Sequence, residues 1–249
     1  IPITKMEIQM KTSNAVLMTI FIVLAAVIII AVVGFRIGFA RIGFDAERGE
    51  YTRQVEKPGE LTVREFSLEG FDSLRIRGPW TVTLTRGETY SVEARIPENY
   101  RDRIEIYTQR DDLIVEVEPF TISGITRLSV EVTMPALEDI RVMGAVDLSF
   151  SGFDPEEMEI TIDGAGDVTG RDNVIGELSI TADGAVNVNL KESICTNADV
   201  VINGAGNVDL TMAGGILSGR IDGLGNITYA GEVEAQTVQL HGLGSVQRR

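Results

Sequence analysis

The sequence predicts an all-β chain, built chiefly as a β-helix of about 20 residues per coil and preceded by one transmembrane α-helix. Three observations carry that expectation. Glycines recur at Gly144, Gly164, Gly184, Gly204, Gly223 and Gly242, at intervals of 20, 20, 20, 19 and 19 residues. The same alternation of apolar residues surrounds each of them. Residues 15–35 form an apolar run whose only clearly polar side chain is Thr19.

The repeat decides the architecture before local propensity does. It reads Ile140-Val142-Gly144-Leu148, Ile160-Ile162-Gly164-Val168, Ile180-Ala182-Gly184-Val188 and Val200-Ile202-Gly204-Val208, then Ile221-Gly223-Ile227 and Val238-Leu240-Gly242-Val246. The fifth copy carries Gly219 at its first apolar position. A period of two marks strands with one buried face. The turns are glycine-rich, as in Asp163-Gly164-Ala165-Gly166-Asp167 and Asn203-Gly204-Ala205-Gly206-Asn207. Glycine supplies positive φ without steric cost, and Asn or Asp tolerates it best among the rest. A unit of this size cannot bury its own apolar face. Stacking solves the problem, and five intervals at strand spacing give a rod of roughly 24 Å. No window shows the 3.6-residue periodicity of a helical repeat.

The Gly-Ala-Gly-Asp/Asn turns at this spacing resemble the bacterial auto-transporter adhesin family with a "head GIN" domain. Phe71-Asp72-Ser73-Leu74-Arg75-Ile76-Arg77-Gly78, Val82-Thr83-Leu84-Thr85-Arg86-Gly87 and Leu128-Ser129-Val130-Glu131-Val132-Thr133-Met134-Pro135 extend the likeness over residues 66–246. The resemblance implies a right-handed β-helix and supplies no catalytic residues. The chain departs from the pattern at Val146 and Val186, where the second glycine of the turn is missing.

Five segments follow. Residues 1–14 are an N-terminal tail. Residues 15–35, as a helix, span about 31 Å, which matches a hydrocarbon core. The run is too long for a signal-peptide core and lacks a small-residue cleavage site, so an uncleaved anchor in the lipid bilayer is expected. Residues 36–56 form a collar and tether, in which Arg36 and Arg41 snorkel while Phe39 and Phe44 rest at the headgroups. Residues 57–135 hold irregular strands at 72–77, 80–86, 90–96, 104–107, 113–118 and 128–134, and Gly78 repeats the glycine pattern as a degenerate first coil. Residues 136–249 are the regular coils. Positive-inside counting favours a cytoplasmic β domain. The short N-terminal tail and the exported character of the resembled family favour the periplasmic side of a bacterial inner membrane, which is the expectation adopted.

The net charge is -15, and residues 136–249 hold eighteen carboxylates against six basic residues. Such a field repels phosphate backbones and argues against nucleic-acid binding. Cys195 is the only cysteine, so no intrachain disulfide forms.

The repeat aligns polar residues into columns. One reads Met143, Asp163, Asp183, Asn203, Asp222, His241, and another reads Asp147, Asp167, Asn187, Asn207, Asn226, Ser245. Asp163, Asp167 and Asp183 offer hard oxygen ligands for calcium. Turn chemistry and side-chain ladders explain the same residues with less. Arg171 and Lys191 stack near Asp172 and Glu192, a pairing that a calcium-dependent polysaccharide lyase could use and that a solvated charge pair explains with less. His241, the only histidine, has no nucleophile marked beside it. No catalytic residue and no cofactor are therefore expected. The leading expectation is a non-catalytic scaffolding subunit that packs against other proteins of a bacterial membrane complex, respiratory or photosynthetic. An adhesin-like envelope-surface binding module is the alternative, and the lyase is a third. The last coil has no polar cap, so another chain covering the C-terminal end is a further expected partner.

Overall fold

The computed structural model describes residues 58–118 and 128–249. The expected anchor at 15–35 and collar residues Arg36, Phe39, Arg41 and Phe44 lie outside the described residues. Among the described residues, no helix is long and apolar enough to cross a membrane.

Among the described residues, thirteen strands make one sheet system. They are β1 (Leu61–Phe66), β2 (Ser73–Arg86), β3 (Ser91–Pro97), β4 (Ile104–Gln109), β5 (Asp112–Val117), β6 (Leu128–Met134) and β7 (Asp139–Ser151), then β8 (Glu157–Ile202), β9 (Ala205–Ala213), β10 (Ile216–Ile221), β11 (Leu224–Glu232), β12 (Ala235–Leu240) and β13 (Leu243–Arg248). A 3₁₀ turn, Glu98–Arg103, separates β3 from β4.

The sequence repeat is also the pairing register. β7 pairs in parallel with β8 from Asp139↔Glu159 to Ser151↔Arg171, a shift of 20 residues throughout. β8 pairs with β9 at the same shift from Ala185↔Ala205 to Leu190↔Leu210. The 19-residue spacing takes over where β9 pairs with β11 and β11 with β13. On the other side of the glycine corner, β8, β10 and β12 pair in the same way. Each rung thus lays like residue on like residue, which is why the repeat survives in the sequence. Inward residues alternate with outward ones: Ile140, Val142, Leu148, Ile160, Ile162 and Val168 are all buried.

The expected division at 135/136 is not a break in the sheet. β2 pairs with β7 from Ser73↔Asp139 to Thr85↔Ser151, and Gly78 lies opposite Gly144. Strands expected at 72–77 and 80–86 are one strand running through Gly78 and Pro79. Beyond β2 the chain closes its own stack. β5 pairs with the first half of β2 and β6 with the second. β4, β3 and β1 then add antiparallel layers. Val92, Ala94, Ile96 and Tyr100 cap the core there, all buried. β1 escaped the sequence reading for a physical reason. Leu61 and Val63 face outward and are exposed, while Thr62, Arg64 and Phe66 alternate with them.

Candidate functional site: the stacked columns

The six glycines stand one above another. A Cβ on Gly144 would meet the Gly78 backbone, on Gly164 that of Gly144, on Gly184 that of Gly164, and so on through Gly204, Gly223 and Gly242. Two physical demands are mixed here. Gly164 and Gly184 have φ of 145° and 137°, so both conformation and space require glycine. At Gly204 φ lies outside the left-handed range, yet the Gly184 nitrogen would sit 2.9 Å from an added Cβ. The expected positive φ at Gly204 is therefore corrected to close backbone approach. Nor are the first three corners turns in the ordinary sense, because Gly144, Gly164 and Gly184 lie within the continuous strands β7 and β8. The missing second glycines are explained as well. Val146 and Val186 point inward, and Gly166 and Gly206 lie against their backbones, so bulk and space alternate from Val146 to Gly206.

The outer columns are hydrogen-bonded along the stack. Asn187 Nδ2 donates to Asp167 Oδ1 at 3.0 Å, Asn207 Nδ2 to Asn187 Oδ1 at 3.1 Å and Asn226 Nδ2 to Asn207 Oδ1 at 3.1 Å. Ser245 Oγ completes the run by donating to Asn226 Oδ1 at 2.8 Å. In the column before the glycine, Asn203 Nδ2 donates to Asp183 Oδ1 at 2.7 Å, and His241 Nδ1 lies 2.8 Å from Asp222 Oδ1. Beside the first ladder runs an apolar column that ends in Leu224 and Leu243, both exposed. The Asn and Leu residues together line a shallow groove of about 400 Å³.

The metal candidates do not converge. Asp163 and Asp183 belong to one column and Asp167 to the other, and Asp167 and Asp183 each accept a hydrogen bond from the next rung. Among the described residues, no group of three or more His, Cys, Asp or Glu is placed to hold a metal ion. The basic pair separates too. Arg171 Nε lies 3.4 Å from Glu192 Oε2, whereas Lys191 Nζ lies 3.1 Å from Asp209 Oδ2. The Arg171 pair is exposed on both sides and of small worth, and the Lys191 pair has one half-buried partner in Asp209. Cys195 is fully buried, and desolvation pushes its thiol up to about 12, which leaves no thiolate at neutral pH.

Two features escaped the sequence reading. The first is a buried amide. Asn173 Oδ1 accepts from the Phe153 N–H at 2.9 Å, while Nδ2 donates to Ser193 Oγ at 2.9 Å and to the Phe150 carbonyl at 3.4 Å. Asn173 and Ser193 are 20 residues apart, so their shared column was legible, though their inward direction was not. The second is an acidic groove of about 770 Å³ lined by Asp139, Glu159, Ser179, Asp199 and Ser218, among others. Arg141 Nη2 bridges Asp139 at 2.8 Å and Glu159 at 3.7 Å. Burial raises the Asp139 carboxyl above its ordinary value, which outweighs the lowering by Arg141, and Glu159 adds to the rise.

An all-β domain of stacked parallel rungs with satisfied polar columns is the class that this geometry defines. Residues 70–194 match the family model described as "Putative auto-transporter adhesin, head GIN domain". The chain belongs to that family. One solved structure agrees on the fold, and two others are reported beside it. A protein described as a putative adhesin from Bacteroides fragilis is 13% identical, with a TM-score of 0.58 over 78% of this chain and 100% of that one. A putative lipid binding protein from Parabacteroides distasonis is 15% identical, with a TM-score of 0.47 over 77% and 97%. A putative adhesin from Parabacteroides merdae is 16% identical, with a TM-score of 0.47 over 78% and 98%. No curated protein matches the chain.

Proposed function

We propose that this chain is a non-catalytic, adhesin-like binding module of the bacterial envelope, wound as a right-handed β-helix and anchored in the inner membrane through residues 15–35 with the β domain outside. The 20-residue parallel register supports the coil, and right-handed crossover is the rule for parallel strands. Family membership favours the adhesin-like reading, and no comparison lends support to a scaffold role in a membrane complex.

One observation carries the functional reading. The ladder Asp167–Asn187–Asn207–Asn226–Ser245 is exposed, periodic and internally hydrogen-bonded. Side chains bonded along the stack are held in fixed positions, so the wall is preorganised for contact. Amides that each retain an unused N–H and a free lone pair suit a neutral polar polymer, such as a surface glycan, and the acidic flanks disfavour an anionic one. The test uses the purified full-length chain in mild detergent, titrated with neutral bacterial surface polysaccharide. Saturable binding should weaken about tenfold in Asn207→Lys with Asn226→Lys, and should be unchanged in Arg101→Ala on the 3₁₀ turn. Undiminished binding by the double variant, or saturable binding only to a protein fraction, would overturn this reading.

A further inference from the structure

Asn203 is the one asparagine of the chain that precedes a glycine; the other eight precede Ala, Val, Leu, Ile or Tyr. The pair falls where the corner column leaves the strands. Asp163-Gly164 and Asp183-Gly184 hold the same corner in earlier rungs and lie inside β8, whereas β8 stops at Ile202 and β9 begins at Ala205. Asn203 is exposed. Its N–H donates to the Ala182 carbonyl, and the Gly204 carbonyl accepts from Leu224 N. Among the described residues, the Gly204 N–H between them has no backbone acceptor. A glycine also puts no side chain in the way of an approach to its nitrogen.

We infer that Asn203-Gly204 is a self-modification site, at which the folded chain loses ammonia and gains a carboxylate with solvent water as the only co-reactant. The Gly204 nitrogen attacks Asn203 Cγ. A bond forms from that nitrogen to Cγ, and the Cγ–Nδ2 bond breaks. The side-chain nitrogen leaves as ammonia, carrying the proton that the Gly204 N–H gives up. Water then opens the cyclic imide at one of its two carbonyls. Cleavage between the Gly204 nitrogen and Cγ gives an aspartate, and cleavage of the original peptide bond gives an isoaspartate. Nothing is oxidised or reduced.

The corner makes both products consequential. Asn203 Nδ2 donates to Asp183 Oδ1 at 2.7 Å, and conversion removes that donor. The new carboxylate stands between Asp183 and Asp222, each one rung away at roughly 4.8 Å. Like charges directly opposite one another are destabilising. An isoaspartate also routes the main chain through an extra methylene, at a corner where the Gly184 backbone already blocks a single Cβ. The reaction thus loosens the rungs of Gly184, Gly204 and Gly223 as the protein ages. It acts on the column before the glycine, apart from the Asn187–Asn207–Asn226 ladder assigned to binding.

The experiment incubates the purified full-length chain in mildly alkaline buffer made with heavy-oxygen water. Circular dichroism verifies that the chain stays folded, and mass spectrometry maps its peptides. Oxygen label and the mass gain of an amide-to-acid exchange are expected at position 203. Methyl transfer by an isoaspartyl methyltransferase should mark the isomerised fraction, while Asn187, Asn207 and Asn226 keep their amides. The melting temperature should fall as the converted fraction rises. Asn203→Gln, whose longer side chain closes the ring far more slowly, should stay unlabelled and hold its melting temperature. A folded chain that keeps the amide at 203 while the urea-unfolded chain loses it would overturn the inference, because the corner would then protect the pair. Label spread equally over Asn187, Asn207 and Asn226 would overturn it too. A melting temperature indifferent to conversion would overturn the loosening.

Discussion

Asn173 and Asn207 each bond to a side chain 20 residues away, and burial separates what those bonds are worth. Asn207 sits in water, so losing its bonds returns its partners to solvent. Asn207→Ala should cost well under about 1 kcal/mol. Asn173 is 1% exposed, and its removal strands the Phe153 N–H inside. Asn173→Ala should cost about 1–3 kcal/mol in urea unfolding. Equal costs for the two would contradict the buried-amide account. Cys195 gives a second test at this scale. Its thiol, pushed up to about 12, should resist alkylation in the native chain at neutral pH and react at once in guanidinium. Asp139 gives a third. Its carboxyl is raised in the native state, so that state binds the proton more tightly than the unfolded chain. The stability it contributes is therefore greatest below the ordinary carboxylate value and declines as pH rises through the native one. Asp139→Asn should flatten that part of the pH–stability curve, and an unchanged curve would count against the burial of this group.

At the scale of elements, the glycine corners control how closely rungs approach. Gly204→Ala tests space alone, because its φ is outside the left-handed range while the Gly184 backbone blocks a Cβ. Gly214→Ala tests conformation alone, because its φ is 96° and nothing lies within 4 Å. Each should cost about 1–3 kcal/mol, the first by separating rungs and the second by strain confined to a loop. Hydrogen exchange distinguishes them: Gly204→Ala should expose amides on both flanking rungs, and Gly214→Ala should not. The sequence made the parallel register legible because Ile160, Ile180 and Val200 recur at one position of the repeat and preserve the period. It hid β1 because Leu61 and Val63 face water, which inverts the usual pattern. It hid the conformational split among the glycines because one residue type serves both demands. The acidic groove was equally hidden, since Asp139, Glu159 and Asp199 share a column with Ser73, Ser179 and Ser218 and no single motif marks it.

Across the described residues of the β domain, stability should follow position in the stack. Rungs gain from neighbours on both sides, and a terminal rung has one. Amides of β7, β8 and β9, whose inward residues are buried, should exchange slowest, and those of β12 and β13, where Leu240 is 47% exposed, fastest. Uniform protection from β7 to β13 would contradict a gradient set by burial. The most direct test of the stacked register is a pair of engineered disulfides in a Cys195→Ser background. Asn187 and Asn207 are register partners on adjacent rungs, so Asn187→Cys with Asn207→Cys should oxidise to a mapped disulfide. Asp167 and Asn207 are two rungs apart, roughly 10 Å, so Asp167→Cys with Asn207→Cys should remain reduced. A disulfide between 167 and 207, or none between 187 and 207, would contradict the account.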